Sequence, residues 1–118
     1  MKVLLTRDSV AMGDDVDAPH EQQRTFPDEL ALREVVGAIV DGGYLARIAG
    51  GRATWVLRAG DAAAVDAVAV VAQQWREPRL LTDGQQPIRS FAGPDGTVRL
   101  HFGYLAQQDP EAVHAGLA

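Results

Sequence analysis

The sequence predicts an α+β fold in which one main helix packs on a mainly antiparallel sheet, followed by a C-terminal hairpin and a short helix. Three observations predict it. Leu32, Val35, Val36, Ile39 and Val40 recur at i, i+3, i+4, i+7 and i+8, which makes one apolar stripe on a helix. Val98, Leu100, Phe102 and Tyr104 alternate with Arg99, His101 and Gly103, the period of a half-buried strand. Elsewhere, runs of strand formers are separated by Gly-Gly, Asp-Gly and Gly-Pro turn signals. With 118 residues, 47% hydrophobic and 23% charged, the chain fits one packed domain spanning residues 1–118. A chain of this size buries roughly 65% of its unfolded surface, enough to fold without staples.

Each element follows from its residues. Lys2 to Thr6 (KVLLT) reads as a strand, and the segment Asp8 to Glu21, carrying Gly13 and Pro19, reads as a loop. Gln22 to Phe26 is a short second strand that pairs back on the first. Asp28, after Pro27, is placed to cap the main helix, with Thr25 as an alternative start in a capping-box-like pair. Gly42 and Gly43 end that helix. Tyr44 to Ile48 and Arg52 to Arg58 flank Gly50-Gly51 and predict a hairpin. Ala62 to Gln74 fits both a helical face, through Val65, Val68, Ala69 and Ala72, and a buried strand. Its β-branched second half favours a strand over about 67–73. Ile88 to Phe91 and Thr97 to Tyr104 form the second hairpin around Gly93-Pro94-Asp95-Gly96. Asp109 and Pro110 start the terminal helix, which Gly116 would end.

The order strand, loop, strand, helix, hairpin, strand over about residues 1–73 resembles the front half of β-grasp (ubiquitin-like) domains. That resemblance implies a fold and no activity.

Composition narrows the function. No cysteine is present, so disulfides, thiolate zinc sites and thiol nucleophiles are excluded together. The apolar run Val3 to Leu5 meets charge at Arg7 and Asp8, unlike a secretory signal. Ala62 to Ala72, interrupted by Asp66, is too short to span a bilayer. The cytoplasm is the expected compartment. Sixteen acidic against 11 basic residues give a net charge of −5, which disfavours nucleic acid and suits a basic partner. Lys2 is the only lysine, and with so much Arg, Ala and Gly the chain resembles proteins of GC-rich bacterial genomes.

The richest stretch in chemistry is Gly13-Asp14-Asp15-Val16-Asp17-Ala18-Pro19-His20-Glu21, with Asp8 nearby. Such carboxylates are ligands for hard cations, but the spacing does not match an EF-hand loop. The segment therefore reads as a metal site, a partner-binding acidic loop or a solvated loop. Ser9 and Ser90 lie in no nucleophile elbow, and His20, His101 and His114 form no zinc pair. His20 next to Glu21 has the residue types of a base and its orienter, although adjacent side chains usually point apart. His101 with Arg99, on the wet face of one strand, is an anion-binding pattern competing with a plain solvated face. Gly42-Gly43 and Gly50-Gly51 lack a phosphate-loop continuation and read as a cap and a turn. Trp55, mid-strand, reads as core. Trp75, in the polar run Gln73 to Pro78, either closes the core edge or serves as an exposed anchor of the type enriched at binding hot spots.

These readings combine into an expected function: a small acidic bacterial domain, without cofactor, that binds a basic protein partner as an inhibitor, immunity protein or adaptor. Asp14, Asp15, Asp17, His20, Glu21 and Trp75 are its expected partner-binding residues. The competing class is a small metal-dependent enzyme or ligand-binding domain using the acidic loop, and a second copy of the chain is a third candidate partner.

Overall fold

The two segments of clearest strand period, near either end of the chain, lie side by side in the computed structural model. It describes residues 1–8, 21–45, 53–60, 66–106 and 108–117. Strand β1 (Lys2–Arg7) runs parallel to β6 (Thr97–Tyr104), from Lys2 opposite Thr97 to Arg7 opposite Phe102. Around this pair stand β2 (Gln22–Thr25), β3 (Thr54–Ala59), β4 (Asp66–Ala72) and the two-residue β5 (Arg79–Leu80). The sheet order is β2-β1-β6-β3-β4-β5, and every pairing other than β1–β6 is antiparallel. With helices α1 (Leu32–Asp41) and α2 (Pro110–Leu117), this is a small α+β fold on a mixed sheet. No helix among the described residues is long and apolar enough to cross a membrane.

One face of the sheet carries the core. Val3, Leu5, Trp55, Leu57, Leu100 and Phe102 form one buried cluster with Leu32, Val35, Val36 and Ile39, the stripe of α1. Helix α1 stops where the glycines stand, with Gly43 in the left-handed region at φ +81°. Its start differs from the capping expected of Asp28 or Thr25. The helix begins at Leu32, and Ala31 provides no side-chain cap. Instead, backbone carbonyls of a distant loop take its first amides: Leu32 N–H donates to Gln86 O (2.8 Å) and Arg33 N–H to Gly84 O (3.0 Å). Asp28 pairs with the N-terminal ammonium at 2.9 Å.

One predicted hairpin is corrected and another lies partly outside the described residues. Of the latter, the second arm forms as strand β3, which is flanked along its length by β4 and along Trp55–Ala59 by β6. Tyr44 and Leu45 are not strand, and 46–52 lie outside the described residues. Ile88–Phe91 is a 3-10 helix rather than a strand. Pro87 leads into it, and its apolar residues Ile88 and Phe91 are three apart, the period of that helix. The reversal itself forms as expected: Gly93 N–H donates to Thr97 O (2.9 Å), and Gly96 has φ +77°. The terminal helix forms with Asp109 capping the Glu111 N–H (3.1 Å), but it runs through Gly116 to Leu117.

Ala62 to Gln74 resolves as strand over Asp66–Ala72, while 61–65 lie outside the described residues. The sequence was ambiguous there for two physical reasons. Leu57 pairs with Ala69 and Arg58 with Ala67, so Val68 is an extra, bulged residue that breaks the period of two. Beyond the bulge both faces are covered. Ala69 and Val71 point into the core, while Val70 and Ala72, facing the other way, are buried as well. On that second face Thr54 donates its hydroxyl to Gln108 O (2.8 Å), which brings the C-terminal connection over β3, and α2 lies against β4. Toward β1 and β6 the same face is half-buried: Leu4, Thr6, Arg99 and His101 all retain solvent contact.

Candidate functional site

Trp75 follows β4 in a tight turn in which its N–H donates to Ala72 O (3.0 Å). Its ring is half-buried and carries the Arg79 guanidinium 3.9 Å above its centre. Arg79 is in turn held by Glu111 of α2 at 2.8 Å. Below the ring opens an apolar cleft of about 190 Å³, walled by Trp55, Trp75, Val40, Leu45 and Val71. Trp55, only 2% exposed, lines the cleft and meets Tyr104 at 4.9 Å between ring centres, the two rings tilted by 46°. Trp75 is thus half-buried, with one ring face under the Arg79 guanidinium and its side chain on the wall of the cleft.

Of the other expected partner-binding residues, Asp14, Asp15, Asp17 and His20 lie outside the described residues. Glu21 is described and exposed, just before β2. Gln22 pairs with Leu5, Thr54 with Ala72 and Trp55 with Tyr104, so Glu21, Asp8 and Trp75 lie at the same end of the sheet. They are not adjacent. Strands β2 and β4 are first and fifth in the sheet, which separates Glu21 from Trp75 by roughly 19 Å at ordinary strand spacing.

A second constellation stands on the less covered face. Thr6 lies opposite His101 in the β1–β6 register, and its Oγ1 is 2.7 Å from His101 Nδ1. His101 Nε2 lies 3.0 Å from Asp8 Oδ1, and Asp8 Oδ2 accepts the Tyr104 N–H at 2.9 Å. With a neutral imidazole, Nε2–H donates to the carboxylate and Nδ1 accepts from the hydroxyl, the order of groups in a nucleophile–base–orienter relay. A directly opposed Thr–His pair is also an ordinary cross-strand contact. The sequence offered only Thr6 and Asp8 two apart and His101 on a wet strand face. Their meeting requires the parallel register of strands some 95 residues apart.

The Arg99 of the expected anion pattern is engaged elsewhere. It binds Asp95 through two nitrogens, at 2.7 and 3.2 Å. Those bonds, with the Thr97 N–H, hold the Asp95 carboxyl well below the usual carboxylate range. Arg7, where the sequence reading saw charge ending an apolar run, is buried on the core face and donates Nε–H to Tyr44 O (3.1 Å). Burial pushes the Tyr44 phenol up to about 12, against the smaller opposing pull of the Arg7 cation. At the other end of the sheet a cleft of about 300 Å³ is lined by Gly60, Asp66, Ser90, Phe91 and Arg99. Among the described residues, no three His, Asp or Glu side chains converge as they would around a cation. No protein-family model matches the chain, and neither a curated protein nor a solved structure matches it.

Proposed function

We propose that the chain is a small acidic binding domain of the bacterial cytoplasm that docks on a basic protein, as an inhibitor, immunity protein or adaptor. The observation that carries this reading is the Trp75 cleft. Its volume of about 190 Å³ is below the roughly 300–1,000 Å³ of small-molecule sites and suits one or two apolar side chains of a partner. Its tryptophan is held in place by Arg79 and Glu111 before any partner arrives, so little side-chain freedom is lost on docking. The flanks of the acidic segment, Asp8 and Glu21, lie at the same end, and the net charge of −5 favours a cationic partner. In this reading Asp14, Asp15, Asp17, His20 and Glu21 steer the partner and Trp75 anchors it. The reading also takes the chain as one β-grasp-like domain with α1 packed across the sheet. What supports that is the order β1, β2, α1, β3, β4 and the parallel pairing of first and last long strands inside the sheet.

The test is to purify the partner captured from the native host and titrate it calorimetrically against wild type and Trp75→Ala. A hot-spot tryptophan contributes at least about 2 kcal/mol, so affinity falls at least about 30-fold. Equal affinities remove Trp75 from the interface, and absence of any stoichiometric partner refutes the docking function.

A further inference from the structure

We propose that Thr6 is a covalent acyl acceptor: its hydroxyl, with His101 as base and Asp8 orienting that base, attacks activated acyl donors. The three side chains are joined by distances that set the direction of each hydrogen bond. Asp8 is fixed by its own N–H, which donates to Phe102 O (3.0 Å), and by the Tyr104 N–H, which donates to Asp8 Oδ2 (2.9 Å). Its other carboxylate oxygen, Oδ1, lies 3.0 Å from His101 Nε2. A carboxylate only accepts, so it holds the neutral imidazole with its proton on Nε2 and its lone pair on Nδ1. Nδ1 lies 2.7 Å from Thr6 Oγ1, which makes the hydroxyl the donor. That hydroxyl proton is the one a base must remove from a nucleophile, and it lies within the reach such pairs require.

The step balances with these groups and one co-reactant, an acyl donor with a good leaving group, such as a thioester. Thr6 Oγ1 forms a bond to the carbonyl carbon as its proton passes to His101 Nδ1. The bond to the leaving group then breaks, and the leaving atom takes the electron pair and the proton from Nδ1. The product is an O-acyl ester on Thr6, and nothing is oxidised or reduced. The donor must be activated because β1 and β6 are both interior strands, so their amides are committed to the sheet rather than aimed at a developing oxyanion. Thr6 and His101 retain solvent contact, so a donor can reach the hydroxyl. Leu4, half-buried and two residues along β1 on the same face, offers an acyl chain an apolar surface. The site shares no residue with the Trp75 cleft and does not depend on the docking function.

The test incubates the full chain with para-nitrophenyl acetate and locates acetyl groups by peptide mass spectrometry after an acid quench. Thr25, an exposed threonine on β2, is the internal reference. Thr6 should acetylate at least about 100-fold faster than Thr25, the lower end of what a positioned base contributes. His101→Gln should bring the two rates together, while Thr6→Ser retains the reaction. Asp8→Asn, whose amide can donate to Nε2, should slow Thr6 acetylation at least about tenfold and move the imidazole proton onto Nδ1. Long-range proton–nitrogen NMR of the imidazole reads that tautomer directly, and this variant decides the matter should His101→Gln not fold. The proposal is overturned if Thr6 reacts no faster than Thr25, if its rate survives loss of the base or of the carboxylate, or if wild-type His101 carries its proton on Nδ1.

Discussion

Two apolar residues on the same sheet face should respond to truncation in the reverse order of their size. Val70 is fully buried and Leu4 is half-buried, although the registers place both on the face opposite the core. Val70→Ala removes two carbons from a closed environment. At about 0.8 kcal/mol per buried methylene that is about 1.6 kcal/mol of transfer free energy. A residual cavity of some 40 Å³ adds about 1 kcal/mol at about 24 cal/mol per Å³. The total is about 2.5 kcal/mol, or about 10 °C in Tm at the entropy of unfolding typical for this chain length. Leu4→Ala removes three carbons, but water reaches the site and fills the space, so about 1 kcal/mol and about 4 °C are expected. Urea unfolding followed by tryptophan fluorescence measures both, with unchanged m-values confirming that only stability moved. If Leu4→Ala costs as much as Val70→Ala, the face over β1 and β6 is covered like that over β4.

Further outcomes follow from local geometry. Gly43→Ala forces a side chain into φ +81° and should cost about 1 kcal/mol, while Gly37→Ala, mid-helix with nothing within 4 Å of the new Cβ, should stabilise by about 0.5–1 kcal/mol. Calorimetry of the two single variants checks the pair of signs. Because burial raises the Tyr44 phenol to about 12, the folded state holds that proton more tightly than the unfolded chain. Its contribution is complete below pH 10 and is lost as pH rises from 10 toward 12; Tyr44→Phe should remove that part of the alkaline decline in Tm. Asp95 shifts the opposite way, so its contribution is present above about pH 4 and fades as pH falls below it. Urea midpoints of Asp95→Asn and wild type, measured between pH 6 and 2, should therefore converge at the acid end.

Legibility in the sequence tracked whether an element has one buried face. Helix α1 was readable because Leu32, Val35, Val36 and Ile39 line a single side and Gly43 needs the left-handed region. β6 was readable for the same reason, with Val98, Leu100 and Phe102 inward. β4 was obscured by the bulge at Val68 and by cover on both faces. The partners of β3 could not be read from its own residues, because a run of strand formers carries no information about which strands occupy its two edges. The start of α1 could not be read locally either, since its caps are carbonyls of residues 84 and 86. The site divides in the same way. Trp75 was legible as a large apolar residue in a polar run, and its cleft was not, because Val40 and Trp55 come from other elements. Thr6, Asp8 and His101 are polar residues from opposite ends of the chain, and nothing short of the β1–β6 register joins them.

The docking account is tested most directly by hydrogen–deuterium exchange of the chain with and without its purified partner. It predicts slowed exchange at residues 73–79 and across the segment between Asp8 and Glu21, with amides at the opposite end of the sheet, around Gly60 and Gly93, unchanged. Protection centred on that opposite end, with residues 73–79 exchanging as in the free chain, would contradict it.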